Sequence, residues 1–125
     1  MAKYYPQIDD SRNHIQIAFD NWIADYPAPS DFFTPLLTCG SFQVANRAKF
    51  CDPGIDAETQ RARRLQFTNP RAANRQWAKI ERAIMRQAPW VPMINPKLID
   101  YVSRRVGDYQ YNPEWGMLID QLWVR

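Results

Sequence analysis

The sequence predicts an α/β fold, and three observations carry that prediction. Ile15-Gln16-Ile17-Ala18-Phe19 alternates along its length as a strand does. Arg71 to Gln87 repeats its apolar residues at helical spacing. Trp90-Val91-Pro92-Met93-Ile94 and Leu98-Ile99-Asp100-Tyr101-Val102 read as two strands, with Asn95-Pro96 as the turn between them.

Taken in order, Lys3 to Asn13 is polar and irregular, and His14 is a surface residue flanking the first strand. That strand runs on to Asn21 and Trp22 and ends before Pro27 and Pro29, because proline lacks an N–H and fixes φ. Ser30 is placed to cap a short helix through Asp31-Phe32-Phe33-Thr34, with Asp31 favourable in the first turn. Phe32, Phe33, Leu36 and Leu37 lie at helical spacing and pack inward, while Pro35 limits the regularity of that helix. A loop-like segment, Gly40 to Phe50, is bounded by Cys39 and Cys51. Asp52-Pro53-Gly54 is a turn signal, and Asp56 is expected to cap a helix from Ala57 to Leu65. Asn69-Pro70 starts the next helix, with asparagine as cap and proline at the first helical position. Ala73, Trp77, Ile80 and Ile84 form one face of it; Arg71, Arg75, Lys79, Arg82 and Arg86 form the other. Ala88-Pro89 stops it, and Trp115-Gly116 with Leu118 to Trp123 make a terminal strand.

The length of 125 residues suits one domain. An apolar content of 46% with five tryptophans excludes a disordered chain. No apolar run approaches a membrane span, and Met1-Ala2-Lys3-Tyr4-Tyr5 offers no signal-peptide core and no lipobox cysteine. The net charge of +3 is mild. The basic face of the helix after Asn69-Pro70 is the best argument for a polyanion, yet long Arg and Lys stems beside an apolar stripe are ordinary on a solvated helix. No RNA-binding aromatic signature, zinc finger or helix-turn-helix pattern accompanies it, so nucleic-acid binding is a minor reading.

No catalytic motif is present: no nucleophile elbow, P-loop, dinucleotide fingerprint or HExxH. Two cysteines and a single distant His14 do not make a four-ligand metal set, and no cofactor is expected. Asp20 and Asp25 are conceivable as a glycosidase pair, but nothing places them across a sugar-sized gap. From the residues alone, Trp22 is core and Asp25 a turn-capping carboxylate; the competing reading makes both ligand contacts at a strand end.

The stretch Trp22-Ile23-Ala24-Asp25-Tyr26-Pro27-Ala28-Pro29-Ser30-Asp31-Phe32-Phe33 tips that choice. It resembles the W-x-A-D-Y-P-D-P-x-x-F-L segment in the C-terminal lobe of the peptide/nickel-type (family 5) extracellular solute-binding proteins of ABC transporters, with Ala28 where those proteins have an acidic residue. The resemblance continues in order through Leu36-Leu37, Cys39, Asn46, Phe50-Cys51-Asp52-Pro53, Ile55-Asp56, Ala88-Pro89, Val91-Pro92, Val106-Gly107-Asp108-Tyr109 and Leu122-Trp123-Val124. It covers roughly Ile15 to Val124.

The resemblance implies part of a class-II periplasmic-binding-protein-like lobe, a small mixed sheet flanked by helices. Residues 1–97 would be lobe body and 98–125 a tail that crosses to the other lobe. Such receptors are non-enzymes that close two lobes on a solute, a peptide first among the candidates. They work outside the cytoplasmic membrane, many as lipoproteins, with a permease and an ATPase as partners. The chain corresponds to their last part, as a fragment or a truncated reading frame. By the resemblance, Asp25 takes a peptide's α-ammonium, screened from water by Trp22 and Tyr26. The backbone of Trp22, Ile23 and Ala24 would pair with the ligand as an added strand, and Trp22 would supply apolar surface. Cys39 and Cys51 would form a disulfide in an exported protein; the alternative is two reduced, packed thiols. Tyr109, Tyr111, Trp115 and Trp123, packed in intact receptors on the other lobe, would make the isolated chain prone to form a homo-oligomer. A free-standing interaction module using this tail and the basic helix is the alternative to a receptor segment.

Overall fold

The structure is a computed structural model that describes residues 3–42 and 45–125. Met1, Ala2, Gln43 and Val44 lie outside the described residues, and with them parts of the expected chain start and of the loop Gly40 to Phe50. The chain divides into two units, Met1–Ile23 with Ala28–Val91, and Ala24–Pro27 with Pro92–Arg125.

The first unit is helical. Its elements are α1 (Tyr4–Asp9), α2 (Ser30–Leu37), α3 (Pro53–Thr68) and α4 (Pro70–Gln87), with single 3₁₀ turns at Ser11–Asn13 and Cys39–Ser41. Asn69 alone separates α3 from α4, and its side chain accepts the Ala72 N–H at 3.1 Å, so the expected cap and N1 proline are in place. The two helices pack antiparallel: Glu58 meets Gln76, and Asp52 at the start of α3 meets Gln87 at the end of α4. Ala73, Trp77, Ile80 and Ile84 are buried as the periodicity requires, together with Ile55 and Ala62 of α3 and Leu36 and Leu37 of α2. Phe33 stacks on Trp77 with ring centroids 5.5 Å apart. Ala88 ends α4 in the left-handed region at φ 47°, its N–H returning to the Ile84 carbonyl.

Helix starts differ from the sequence reading in two places. Asp52, not Asp56, caps α3, accepting the N–H groups of Gly54 (2.9 Å) and Ile55 (3.1 Å). Asp52-Pro53 is the same cap-plus-proline pattern as Asn69-Pro70, and it starts the helix a turn before Asp56. Ser30 is the first residue of α2 rather than its cap; Pro29 holds the cap position without a side-chain bond. Pro35 lies inside α2, which continues to Leu37.

The expected strand at Ile15–Phe19 is absent. Residues 14–24 have no regular structure, and Ile17 is 92% exposed. An alternating segment becomes a strand only when another backbone pairs with it, and no such partner exists among the described residues. Side chains hold the segment instead. Tyr4 Oη donates to the Phe19 carbonyl at 2.5 Å, and Arg47 bridges Asp20 (2.9 Å) and Asp9 (3.0 Å) while lying over the Tyr5 ring. His14 is exposed, as expected, in a left-handed conformation at φ 52°.

The second unit holds the β-structure: β1 (Val106–Gly107), β2 (Tyr111–Asn112), β3 (Gly116–Met117) and β4 (Trp123–Val124). They form two antiparallel two-stranded ribbons, β1–β4 and β2–β3, giving the chain its α/β character. Asn112 Oδ1 accepts the N–H groups of Glu114 and Trp115 and makes the turn between β2 and β3, with Gly116 at φ 71°. In the other ribbon the Trp123 ring lies over Gly107, where a Cβ would overlap it. Arg105 clamps the chain end, its guanidinium donating to the Arg125 carbonyl and its own carbonyl accepting the Arg125 N–H at 2.9 Å.

The strands expected at Trp90–Ile94 and Leu98–Val102 do not form, and Val91, Met93, Ile94, Leu98 and Ile99 are all exposed. Pro92 and Pro96 remove two donors from this stretch, and no other backbone pairs with it among the described residues. The terminal strand is shorter than expected, since Ile119–Gln121 is a 3₁₀ turn and only Trp123–Val124 pairs.

Two outcomes follow from this packing. The Asp52 carboxyl is held below its ordinary value by the Gln87 amide and by the Ile55 and Gly54 N–H groups. A depressed folded-state pKa contributes stability above the unfolded value and loses it as pH falls through the lowered one. Asp52→Ala should therefore lower Tm at neutral pH, with the gap to wild type closing as acid protonates Asp52; thermal scans by circular dichroism at stepped pH check this. Gly107→Ala should open the β1–β4 ribbon at a cost of about 1–3 kcal/mol. Amide exchange at Arg125 should then run on the order of tenfold faster while α4 keeps its protection.

Candidate functional site

The candidate ligand segment is Trp22-Ile23-Ala24-Asp25-Tyr26, and its residues fall in both units. In the first unit Trp22 is half-buried against the helical core. Its indole Nε1–H donates to Asp31 Oδ2 at 3.2 Å, and Asp31 is buried in the first turn of α2, where the helix dipole favours a carboxylate. This bond takes the one polar group of the Trp22 side chain, so any further contact must use the ring face. Ile23, next along, is 75% exposed. In the second unit Ala24 is half-buried, while Asp25 and Tyr26 are exposed. The strand edge expected for Trp22 to Ala24 is absent, for the same want of a pairing backbone as at Ile15–Phe19.

Downstream, Cys39 and Cys51 are joined as a disulfide with their Cα atoms 4.4 Å apart. Around it the loop is held by buried polar groups. Asn46, 1% exposed, donates from Nδ2 to the carbonyls of Thr38 (2.9 Å) and Phe50 (2.7 Å) and accepts the Phe50 N–H at Oδ1. Ser41 Oγ adds a bond to the same Thr38 carbonyl at 2.7 Å. Asp56, displaced from the capping role expected of it, accepts the Cys39 N–H at 3.1 Å from within α3. The disulfide loop therefore ties the end of α2 to the first turns of α3.

Sequence reasoning missed Arg47 and the structural work of Asn46 and Asp31. Arg47 meets Asp9, Asp20 and Tyr5, which are 38, 27 and 42 positions away, and no local pattern encodes such partners. Asn46 carried a signal as a residue of the family resemblance and as a polar residue inside a cysteine-bounded loop, but neither names its partners. Asp20 is bound to Arg47 in the first unit, and Asp25 belongs to the second. Among the described residues no group of three His, Cys, Asp or Glu side chains is placed to hold a metal ion. Among the described residues no helix is long and apolar enough to cross a membrane.

Replacing both cysteines by serine should cost about 2–3 kcal/mol, the chain-entropy value for a short closed loop. Urea denaturation followed by Trp fluorescence checks this, and the oxidised wild type treated with reductant should show the same loss.

Comparison with known proteins places the chain. It is 32% identical over 94 residues, 74% of its length, to the di/tripeptide-binding protein 2 of Pseudomonas aeruginosa. It is 31% identical over 93 residues to the di/tripeptide-binding protein 4 of the same organism, and 23% identical over 108 residues to the peptide transport periplasmic protein SapA of Haemophilus influenzae. A heme-binding protein A of H. influenzae is 27% identical over 107 residues. The chain spans only 17–19% of the length of these relatives. No family model and no solved structure matches it. The long shared segments lead to one assignment: the chain belongs to the peptide/nickel-type (family 5) extracellular solute-binding proteins of ABC transporters.

Proposed function

We propose that this chain is a segment of a receptor that captures peptides outside the cytoplasmic membrane and delivers them to an ABC-type importer. The observation that carries the reading is the similarity, over about three quarters of the chain, to two proteins named for di- and tripeptide binding. In this reading the chain contributes part of one lobe, and the ligand is held between two lobes that close on it. Receptors of this kind are not enzymes; the work is binding and release, handed on to a permease and an ATPase. The Cys39–Cys51 disulfide suits an oxidising, extracytoplasmic setting.

Within the segment each residue has a distinct role. The Asp25 carboxylate takes the peptide's α-ammonium through a charge-assisted hydrogen bond. Trp22, its N–H committed to Asp31, offers the face of a ring whose position is already fixed, so little conformational freedom is lost when a ligand side chain packs on it. The backbone of Trp22, Ile23 and Ala24 is in no β-ladder, which leaves it available to an extended peptide as a pairing edge. Tyr26 closes the segment with a second, exposed ring. In the isolated chain the exposed rings of Tyr109, Tyr111, Trp115 and Trp123 are surfaces for self-association.

Calorimetry on the full-length parent with a mixed di- to pentapeptide pool tests the reading. Asp25→Ala should weaken binding roughly ten- to hundredfold, the loss of one hydrogen bond to a charged group, with circular dichroism unchanged. Equal peptide affinity in both proteins would remove Asp25 from the site. Failure of the wild type to bind any peptide would redirect the search to heme, sugars and metal chelates.

A further inference from the structure

The outer face of α4 carries Arg71, Arg75, Lys79, Arg82 and Arg86, all exposed. At 100° per residue the five fall within an arc of about 80°, and no other α4 residue lies in that arc. They form an uninterrupted cationic ridge roughly 23 Å long, on the side of the helix opposite Ala73, Trp77, Ile80 and Ile84.

The ridge works against its own helix. Arg71–Arg75, Arg75–Lys79 and Arg82–Arg86 are like charges four residues apart, and Lys79–Arg82 are three apart, each pair disfavouring the helix. Arg71 also lies in the first turn, where the helix dipole repels a cation. None of the five has a carboxylate partner among the described residues. The one acid of α4, Glu81, has Trp77, Ala78, Ile84 and Met85 as its three- and four-residue neighbours, and no cation. A solvated helix face ordinarily mixes signs; this one does not.

We propose that the α4 ridge is a docking surface for an anionic lipid bilayer. A row of guanidinium and ammonium groups with no apolar or neutral side chain among them presents only positive charge and N–H donors, with nothing to select one fixed pattern of partner groups. It suits a laterally mobile array of phosphates, which can gather beneath it. Nucleic acid is the poorer partner, because no aromatic residue stands in the ridge to stack on a base and the disulfide belongs to an oxidising compartment. The inference is independent of the peptide reading, since it uses neither Trp22 nor Asp25.

Vesicle flotation with the 125-residue chain at low salt tests it. Vesicles of phosphatidylcholine alone are compared with vesicles containing about a third phosphatidylglycerol. The wild type is expected to bind only the second, and high salt should release it. Each cation near an anionic surface is worth roughly fivefold in partitioning, so the triple variant Arg75→Gln, Lys79→Gln, Arg82→Gln should lose about a hundredfold. Glutamine keeps the helix propensity, and the single variant Arg75→Gln, expected to lose about fivefold, stands in should the triple variant fold poorly. A control that removes the same charge elsewhere, Lys3→Gln, Lys97→Gln and Arg104→Gln, should change binding less than about twofold if the ridge, not net charge, is responsible. Four results would overturn the proposal: no binding by the wild type, equal binding to neutral vesicles, equal loss in the two triple variants, or tighter binding to a short duplex DNA than to the anionic vesicles.

Discussion

The burial of one face of α4 is the constraint on which the first unit depends. Trp77, Ile80 and Ile84 are each at most 3% exposed, and they receive groups from every other part of that unit's core. Phe33 of α2 stacks on Trp77, and Ile55 and Ala62 of α3 pack alongside. Burial of large side chains at close to native packing density is worth a few kcal/mol each. Hydrogen bonds then set the register in which those side chains meet: Gln87 reaches Asp52 at one end of the helix pair, and Gln76 reaches Glu58 part-way along.

Polar interactions take over where the chain leaves that core. Between α2 and α3 the Cys39–Cys51 bridge, Asn46 and Asp56 close a loop that has no regular ladder of its own. Buried backbone groups need partners, and Asn46 supplies them to Thr38 and Phe50 in a loop too irregular for a ladder. Before α2, Arg47 secures the extended segment through Asp9 and Asp20. Trp22 joins the two regimes, with its ring on the core and its N–H on the buried Asp31. Proteins that bind ligands commonly hold their contact residues in this way, on irregular chain positioned by a rigid scaffold.

The exposed apolar residues take meaning from the family. Ile15, Ile17, Val91, Met93, Ile94, Leu98 and Ile99 would be costly ornaments on a self-sufficient domain. The chain spans 17% of the length of the two di/tripeptide-binding relatives, and its strand-patterned segments meet no pairing backbone among the described residues. The same argument bears on the candidate site. A backbone outside any ladder at Trp22 to Ala24 can accept an extended peptide or a neighbouring strand by the same hydrogen bonds.

What could be read from the sequence divides along the range of the interactions involved. Asn69-Pro70, the Ala73–Trp77–Ile80–Ile84 face and the stop at Ala88-Pro89 depend on residues within a turn or two, and all three are as expected. Asp52-Pro53 carried the same local signal; reading it as a turn put the start of α3 a turn late. The alternation at Ile15–Phe19 and the runs at Trp90–Ile94 and Leu98–Val102 encode a capacity to pair, but pairing needs a second backbone that local sequence cannot supply. The Trp22–Asp31 bond was not legible, because it depends on where α2 packs. Tertiary structure alone decided that Arg47 joins Asp9 to Asp20, and that Asp56 serves Cys39 rather than a helix end. Each of those contacts spans 17 or more positions, and only the folded chain brings such groups within hydrogen-bonding reach.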